Sequence, residues 1–171
     1  MSEVLDIGCG RAKTPGAFGI DIVAAPGVDL VHDLNRIPWP LEENRFGEVV
    51  CSHVLEHVAD VAAVLNEIHR VSRPGARVQV VTPHFSSLNS WEDPGHLHHF
   101  SRRSFTFFDP ANKHCCGGRH LKVISVGVSF GGGLFDQAAR FAHWCSPDFW
   151  EKQLCFILRG RNLFAELEVQ K

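Results

Sequence analysis

The chain lacks the features of a membrane-spanning, secreted or disulfide-stapled protein. It contains no apolar run of about 18 residues or more and no charged-then-apolar signal segment, so we expect a soluble, cytoplasmic protein with no transmembrane segment. A net charge of −2 argues against a broad nucleic-acid surface. The six cysteines include no Cys-x-x-Cys pair, which favours reduced thiols over a disulfide scaffold or a zinc ribbon.

Internal repeats and low-complexity tracts are also missing, so nothing in the pattern divides the chain. A length of 171 residues is close to one domain, and an apolar fraction of 44% is enough for a buried core. We therefore expect a single domain over residues 1–171.

The most informative feature is an apolar run that leads into a glycine turn, Val-Leu-Asp-Ile-Gly-Cys-Gly from Val4 to Gly10. Gly8 and Gly10 have no Cβ, so the backbone can bend sharply and approach a ligand closely. The pattern predicts a buried strand followed by a turn that cradles a nucleotide.

Two phosphate-binding motifs do not fit this turn. A dinucleotide fingerprint needs a third glycine where Lys13 stands and an acidic residue about 20 positions on, whereas Asp21 comes much sooner. A P-loop needs lysine directly after its second glycine, but Ala12 precedes Lys13. Neither motif accounts for the turn.

The remaining pattern, Asp-x-Gly-x-Gly at Asp6, Gly8 and Gly10, resembles motif I of class I S-adenosylmethionine (SAM) methyltransferases. The resemblance implies that the loop backbone, with Cys9 between the glycines, packs against the amino-acid part of SAM. Asp6 would then hold the amides of the loop and favour the positive charges of the ligand.

Two more acidic residues stand where successive strands are expected to end. Phe18 to Ile22 reads as a short second strand, whose Asp21 would accept hydrogen bonds from the ribose hydroxyls, with Ile22 as a further contact of the ligand. In the following apolar segment, Asp33 would accept from the adenine amino group while the backbone of Leu34 meets the ring. Two carboxylates therefore match two parts of one nucleoside.

The next stretch carries two phrases of a known family. Residues 46–58 predict a fourth strand that leads into a helix, and a further helix with Leu65, Ile68 and Val71 is expected to stop at Pro74-Gly75, before a strand at residues 77–83. The phrases Ser-His-Val-Leu-Glu-His and Glu-Ile-His-Arg-Val-Ser-Arg-Pro-Gly-Ala are similar to those of type 11 methyltransferases, and the resemblance covers residues 3–83. It adds Ser52 and His53 as contacts of SAM.

The resemblance implies a fold class: an α/β, Rossmann-like, doubly wound sheet of seven strands, mostly parallel, with an antiparallel final strand. The segment Leu163 to Val169 alternates apolar and polar residues and suits that final strand as an edge strand. One departure concerns residues 11–20, which have room for only a turn or two of helix where the family has a full one. Arg11 or Lys13 would then supply charge near the carboxylate of SAM.

A long polar and aromatic loop at residues 84–109 is expected to fold over the methyl group, because loops of this length are usually functional. Its candidate catalytic residues are His84, Asp93, His96 and His99, with His53 at the tip of the fourth strand as a further one. Three interpretations stay open: a general base oriented by Asp93, a metal site, or hydrogen bonds that stiffen the loop. The metal alternative would draw its ligands from these loop residues and His98. Ser101 is expected to cap a helix that begins at Arg102.

Other conspicuous residues have simpler interpretations. Glu67 and His69 are expected on a solvated face, and His57 in the core or at a cap. The aromatic residues between Leu134 and Trp150 are expected to be mostly core, with a substrate lid or a dimer surface as alternatives. The set at His114, Cys115, Cys116 and His120 favours a surface turn over a metal site, because Gly117-Gly118 follows the adjacent cysteines.

The sequence thus predicts a SAM-dependent methyltransferase with a SAM-binding core at 1–83, an active-site loop at 84–109 and a sheet and helix region at 110–171. The fourth strand ends in Cys-Ser-His-Val rather than the Asn-Pro-Pro-Tyr of many amide and nucleobase methyltransferases. We therefore expect O-methylation of a small-molecule or glycan-type acceptor, with a homodimer as a further candidate assembly. The alternatives are a SAM-binding regulatory or partner subunit without turnover, and a metal-assisted methyltransferase.

Overall fold

A computed structural model describes residues 3–109, 111–112 and 121–171, and the elements named below belong to these ranges. The strands are β1 (Glu3–Ile7), β2 (Phe18–Asp21), β3 (Leu30–Val31), β4 (Phe46–Ser52), β5 (Ser72–Pro83), β6 (Leu121–Val128) and β7 (Asn162–Val169). The helices are α1 (Val61–Val71), α2 (Asn89–Glu92), α3 (Leu134–Cys145) and α4 (Pro147–Phe149), together with a 3-10 helix (Ser104–Phe108) and a π-helical turn (Trp150–Leu154). The turn predicted at His114 to His120 lies outside the described residues.

These strands form one seven-stranded sheet in the order β3-β2-β1-β4-β5-β7-β6. The five strands from β3 to β5 pair in parallel, whereas β7 pairs antiparallel with both β5 and β6. The α/β fold with a mostly parallel sheet and an antiparallel final strand is therefore confirmed. The expectation of an edge position for β7 is wrong, because β6 occupies that edge and β7 lies inside the sheet.

The order of the strands creates a crevice next to β1. From β1 the chain winds outward to β2 and β3 on one side, and β4 and β5 lie on the other. Ligands of open α/β sheets bind outside the carboxyl ends of the strands at such a switch point. The core below it is apolar, with Leu5, Ile7, Val49 and Cys51 fully buried on β1 and β4.

The helix predicted directly after the fourth strand is absent, because residues 53–60 form turns, and α1 is the further helix that the sequence predicted. Its N-cap is Asp60, whose side chain accepts from the backbone N–H of Ala63 at 2.9 Å. The helix ends at Val71, where Ser72 becomes extended and donates its hydroxyl to the carbonyl of Ile68. Pro74-Gly75 therefore lies within β5 rather than stopping the helix.

Glu67 on α1 is buried, which corrects the expectation of a solvated face. Its carboxylate accepts from the backbone N–H of Trp39 at 2.7 Å and from the guanidinium of Arg70 at 2.8 Å. Arg70 also donates to the carbonyls of Trp39 and Leu41. The Glu67–Arg70 pair thus joins the segment before β4 to the helix.

Two further expectations differ from the structure. Residues 11–17, all of them described, form turns and no helix, because Pro15-Gly16 interrupts a segment that is already short. Ser101 does not cap a helix at Arg102; the helix is a 3-10 helix that begins at Ser104, after a turn in which Ser104 N–H bonds the carbonyl of Ser101.

The aromatic stretch beginning at α3 is mostly exposed rather than core. The exposed side chains are Leu134, Phe135, Phe141, Trp144 and Phe149, whereas Trp150 is fully buried. Helical spacing predicts one apolar face correctly, but it does not show whether another element covers that face.

Candidate functional site

A cleft of about 290 Å³ opens at the switch point between β1 and β4. It is bounded by the ends of β1 and β2, the segment after β3 and the turns after β4. The lining residues are Gly8, Asp21, Ile22, Asp33, Leu34, Asn35, His53, Val54, His57 and Val58. Six of them are residues that the sequence predicted to contact SAM, and they come from four separate segments of the chain.

The glycine turn after β1 forms the floor of the cleft. Gly8 has φ +64°, and a Cβ at this position would come within 2.3 Å of Val54 Cγ2. Its N–H donates to the carbonyl of Ile20 at 2.8 Å, as does that of Cys9 at 3.3 Å. Gly10, with φ +53°, donates its N–H to Asp21 Oδ2 at 2.9 Å. A side chain at Gly8 would therefore displace Val54. Glycine at this position lets a ligand approach the backbone of the turn closely.

The buried carboxylate of Asp6 holds this loop from below. Its Oδ2 accepts from the backbone N–H of Thr14 at 2.7 Å, which is the role expected of it. Lys13 pairs instead with Asp29, at 2.7 Å, and the N–H of Gly19 together with Lys13 lowers the pKa of the Asp29 carboxyl. Lys13 is thus engaged in an ion pair, whereas Arg11 is exposed to solvent.

Two carboxylates stand on one side of the cleft. Asp21 accepts from the N–H of Gly10 and from the N–H of Val23 at 2.9 Å, so each oxygen keeps a lone pair for a ribose hydroxyl. Asp33 accepts from the backbone N–H and the side-chain amide of Asn35, at 3.0 and 3.1 Å. The N–H of Asn35 holds the pKa of Asp33 below its usual range, so this carboxylate is ionised at neutral pH.

The opposite side carries an imidazole and a buried carboxylate. His53 directly follows β4 with φ +55°, and its Nδ1 lies 3.1 Å from Glu56 Oε1. Oε2 of Glu56 accepts from the hydroxyl of Thr82 at 3.0 Å, and the side chain is almost fully buried. The hydrogen bond from His53 to Glu56 raises the pKa of the imidazole above its ordinary value. Ser52, the last residue of β4, is exposed and lies outside the lining set.

The loop at 84–109 does not bring its candidate residues together at the cleft. His84 is fully buried, with Nδ1 2.8 Å from Ser86 Oγ, Nε2 3.1 Å from Glu151 Oε1, and its ring against Trp150. Burial raises the pKa of Glu151, but His84 and the N–H of Arg102 outweigh it and lower that pKa.

His98 is held by the turns after β4, and His99 is held within its own loop. His98 Nε2 lies 2.9 Å from the carbonyl of Val58, and His99 stacks on Trp91 with ring centroids 3.7 Å apart. Among the described residues, the loop histidines and Asp93 therefore do not form the metal-ligand set that the sequence suggested.

His96 is the loop residue that reaches the edge of the cleft. Its ring lies edge-to-face with that of His57, with centroids 4.6 Å apart. Asp93 Oδ2 lies 4.0 Å from His96 Nε2, and Oδ1 accepts from the N–H of Gly95 at 2.7 Å. Asp93 thus shapes the turn that positions His96.

Sequence reasoning missed five residues in or beside the cleft. Asn35, Val54, His57 and Val58 line it, and His57, which was expected in the core or at a cap, is exposed there. Glu56 lies beside the cleft. Glu56 stands within the Ser-His-Val-Leu-Glu-His phrase, which pointed to the segment but not to this side chain. Asn35 lines the cleft and accepts from the N–H of Ala59 at 2.7 Å, a contact between distant segments that no local pattern predicts.

The comparisons with known proteins identify the family of the chain. The profile of the family described as "Methyltransferase domain" matches residues 1–121, so the chain belongs to this family. It is a SAM-dependent methyltransferase of class I, as the sequence predicted. No curated protein matches the chain.

Solved structures show the same fold at low sequence identity. A SAM-dependent methyltransferase from Mesorhizobium loti is 17% identical, with a TM-score of 0.62 over 98% of this chain and 90% of that one. One from Archaeoglobus fulgidus, also 17% identical, has a TM-score of 0.65 over 98% and 86%. A chain from a complex that contains the Haloferax volcanii Trm112 methyltransferase activator is 13% identical, with a TM-score of 0.62 over 99% and 83%.

Within the described ranges, no helix combines the length and the apolar character needed to cross a bilayer.

Proposed function

We propose that the protein transfers the methyl group of SAM to an oxygen atom of a small-molecule or glycan-type acceptor at the rim of the cleft. The observation that carries this proposal is the pairing of two carboxylates on one side of the cleft with the His53–Glu56 pair on the other. The two carboxylates suit the hydroxyl and amino groups of a nucleoside, and the imidazole suits the removal of a proton from an acceptor.

The geometry of the cleft supports the contacts that we propose for SAM. The backbone of Gly8, Cys9 and Gly10 would approach its amino-acid end. Asp21 would accept from the ribose hydroxyls. Asp33 would accept from the adenine amino group, and the ring would lie between the apolar side chains of Ile22 and Leu34.

His53 is the residue we propose as the general base. Its Nδ1 hydrogen donates to the Glu56 carboxylate, so the neutral ring carries its lone pair on Nε2. When bound, SAM supplies an electrophilic methyl group on a sulfonium. As the acceptor oxygen bonds to the methyl carbon and the carbon–sulfur bond breaks, Nε2 of His53 takes the hydroxyl proton and passes it to solvent. Holding the acceptor in line with the methyl group supplies most of the acceleration.

The proposed class of acceptor rests on the residues at the end of β4. The end of β4 presents Ser52 and His53 rather than a planar amide and a stacking ring, which favours a hydroxyl over a nucleobase. The loop at 84–109 and the region at 131–162 are expected to set specificity, since both flank the same edge of the sheet.

A methyl-transfer assay with labelled SAM and a panel of hydroxylated acceptors tests this proposal. The variant His53→Gln is expected to lower turnover by about 10²-fold or more while SAM affinity is kept. His32→Gln, at an imidazole outside the lining residues, is the matched control and should keep full turnover. Full turnover in His53→Gln would exclude this residue as the base.

A second candidate function is SAM binding without turnover in the isolated chain, as a regulatory subunit or one that needs a partner. The absence of a helix over residues 11–17 favours it, because the amino-acid end of the ligand has less cover there. The Haloferax volcanii complex shows a chain of this fold together with a methyltransferase activator. Tight SAM binding with no transfer to any acceptor in the panel would support this candidate over catalysis by the chain alone.

A further inference from the structure

Three side chains converge at the edge of the cleft, and one of them, Glu56, also accepts the hydrogen bond from the proposed base His53. They are Glu56 and His57, from the turns after β4, and His96, from the loop at 84–109. A carboxylate oxygen of Glu56 and one imidazole nitrogen of each histidine lie within 4.8 Å of one another. Imidazole and carboxylate together are the usual ligands of zinc and of several other divalent transition metals.

The burial of Glu56 makes a cation at this point favourable. Its side chain is 1% exposed, and its hydrogen-bond partners are the imidazole of His53 and the hydroxyl of Thr82. Among the described residues, this carboxylate forms an ion pair with no lysine or arginine, and it pairs with His53 only when that imidazole is protonated. A buried carboxylate is costly unless an opposite charge compensates it, and a bound divalent ion would supply that charge.

The two histidines are oriented as metal ligands commonly are. His57 Nδ1 lies 3.2 Å from the carbonyl oxygen of Gly95, and His96 Nδ1 lies 3.2 Å from that of Ser90. Because a carbonyl oxygen only accepts, each Nδ1 carries the hydrogen and each Nε2 is left with its lone pair. In metal sites, a hydrogen bond of this kind from the other ring nitrogen fixes the tautomer and the orientation of a histidine ligand.

The backbone holds the two contributing segments together. The carbonyl of Glu56 accepts from the N–H of Leu97 at 2.7 Å and from that of His98 at 3.2 Å. The bonds fix His96 relative to Glu56 and His57 without help from a metal. Main-chain contacts of the two residues directly after His96 thus hold the site together.

We propose that Glu56, His57 and His96 bind one divalent transition-metal ion at the edge of the SAM cleft. Three protein ligands leave coordination positions open, and His57 also lines the cleft. The role of the ion rests on the proposed function: an acceptor hydroxyl in an open position would lose its proton more easily. Binding of the ion itself does not depend on SAM or on turnover.

Calorimetric titration of the tag-free, chelator-treated chain with Zn²⁺ tests the site, together with elemental analysis after dialysis. The expected result is one ion per chain. In His57→Gln and in His96→Gln, the affinity for Zn²⁺ should fall by about 100-fold or more. His99→Gln removes an imidazole of the same loop outside the cluster, and it should bind as the unaltered chain does. Glu56→Gln is a third variant, and the two histidine variants keep the test valid if it fails to fold.

The site is excluded if the unaltered chain retains no ion, or if His57→Gln and His96→Gln bind Zn²⁺ as tightly as His99→Gln, which would place the ion elsewhere. Titration with SAM in the presence of chelator separates this proposal from the proposed function. SAM binding without metal binding would overturn the metal site alone, and metal binding without SAM binding would overturn the assignment of the cleft alone.

Discussion

In the proposed site, Asp21 is the residue on which recognition of the nucleoside would depend most directly. Its carboxylate is already fixed by the N–H groups of Gly10 and Val23, so it meets the ligand in a defined position. We expect Asp21→Ala to weaken SAM binding by about 1.5–3 kcal/mol for each charge-assisted hydrogen bond that is lost. Calorimetric titration with SAM measures this difference.

The matched control for that titration is Asp148→Ala, at an exposed carboxylate that pairs with Arg102 on another part of the molecule. Its SAM affinity should equal that of the unaltered chain. An unchanged affinity in Asp21→Ala would place the ribose elsewhere.

His84 illustrates a residue whose type suggests catalysis and whose surroundings indicate a structural role. It is fully buried, and its Nε2 bonds to the Glu151 carboxylate. Because His84→Ala leaves that carboxylate without its imidazole partner, we expect a loss of roughly 2–3 kcal/mol in the free energy of unfolding, with SAM affinity kept. Urea unfolding checks this, and full stability combined with a loss of turnover would restore His84 as a candidate base.

Helix α1 offers a test of local stability at the scale of the element. The Asp60 side chain caps the N–H of Ala63, one of the donors that have no partner within the helix. Asp60→Ala should therefore cost about 1 kcal/mol in the free energy of unfolding, whereas Asp60→Asn should cost much less, since asparagine is an equally good cap. Equal losses in the two variants would argue against the cap.

The link between α1 and the segment before β4 should depend on pH. Burial raises the pKa of Glu67, but Arg70 and the N–H of Trp39 lower that pKa by more than burial raises it, so the net shift is downward. A lowered pKa in the folded state gives stability that is present above the unfolded pKa and is lost as pH falls through the folded pKa. At neutral pH, Glu67→Gln should cost roughly 3 kcal/mol in the free energy of unfolding.

The difference between Glu67→Gln and the unaltered chain should shrink as pH falls below about 4. Urea unfolding at several pH values measures it. Glu166→Gln is the control, since its ion pair with Arg77 is exposed and should be worth no more than about 1 kcal/mol. A difference that stays constant down to pH 2 would contradict the role of the ionised carboxylate.

At the same scale, the sequence predicted the elements whose patterns are local. The buried runs of β1 and β4 and the apolar stripe of α1 were recognisable because burial on a strand or helix face repeats along the chain. The position of β7 was not, because alternation shows that one face is covered but not which strands lie beside it. The exposed face of α3 was missed for the same reason.

At the scale of the whole molecule, the sequence predicted the SAM side of the site better than the catalytic side. Gly8, Asp21 and Asp33 follow neighbouring parallel strands, so the sheet itself brings them to one edge. The histidines of the loop at 84–109 have no such frame. Of these histidines, His96 lies at the edge of the cleft. Backbone hydrogen bonds between the loop and Glu56 place it there, and no local sequence pattern predicts such bonds.

Calorimetric titration tests most directly whether this cleft binds SAM. The chelator-treated chain is titrated with SAM and, separately, with NADH. We predict one SAM per chain, displaced by S-adenosylhomocysteine, and no binding of NADH. Saturable binding of NADH with no response to SAM would contradict the account.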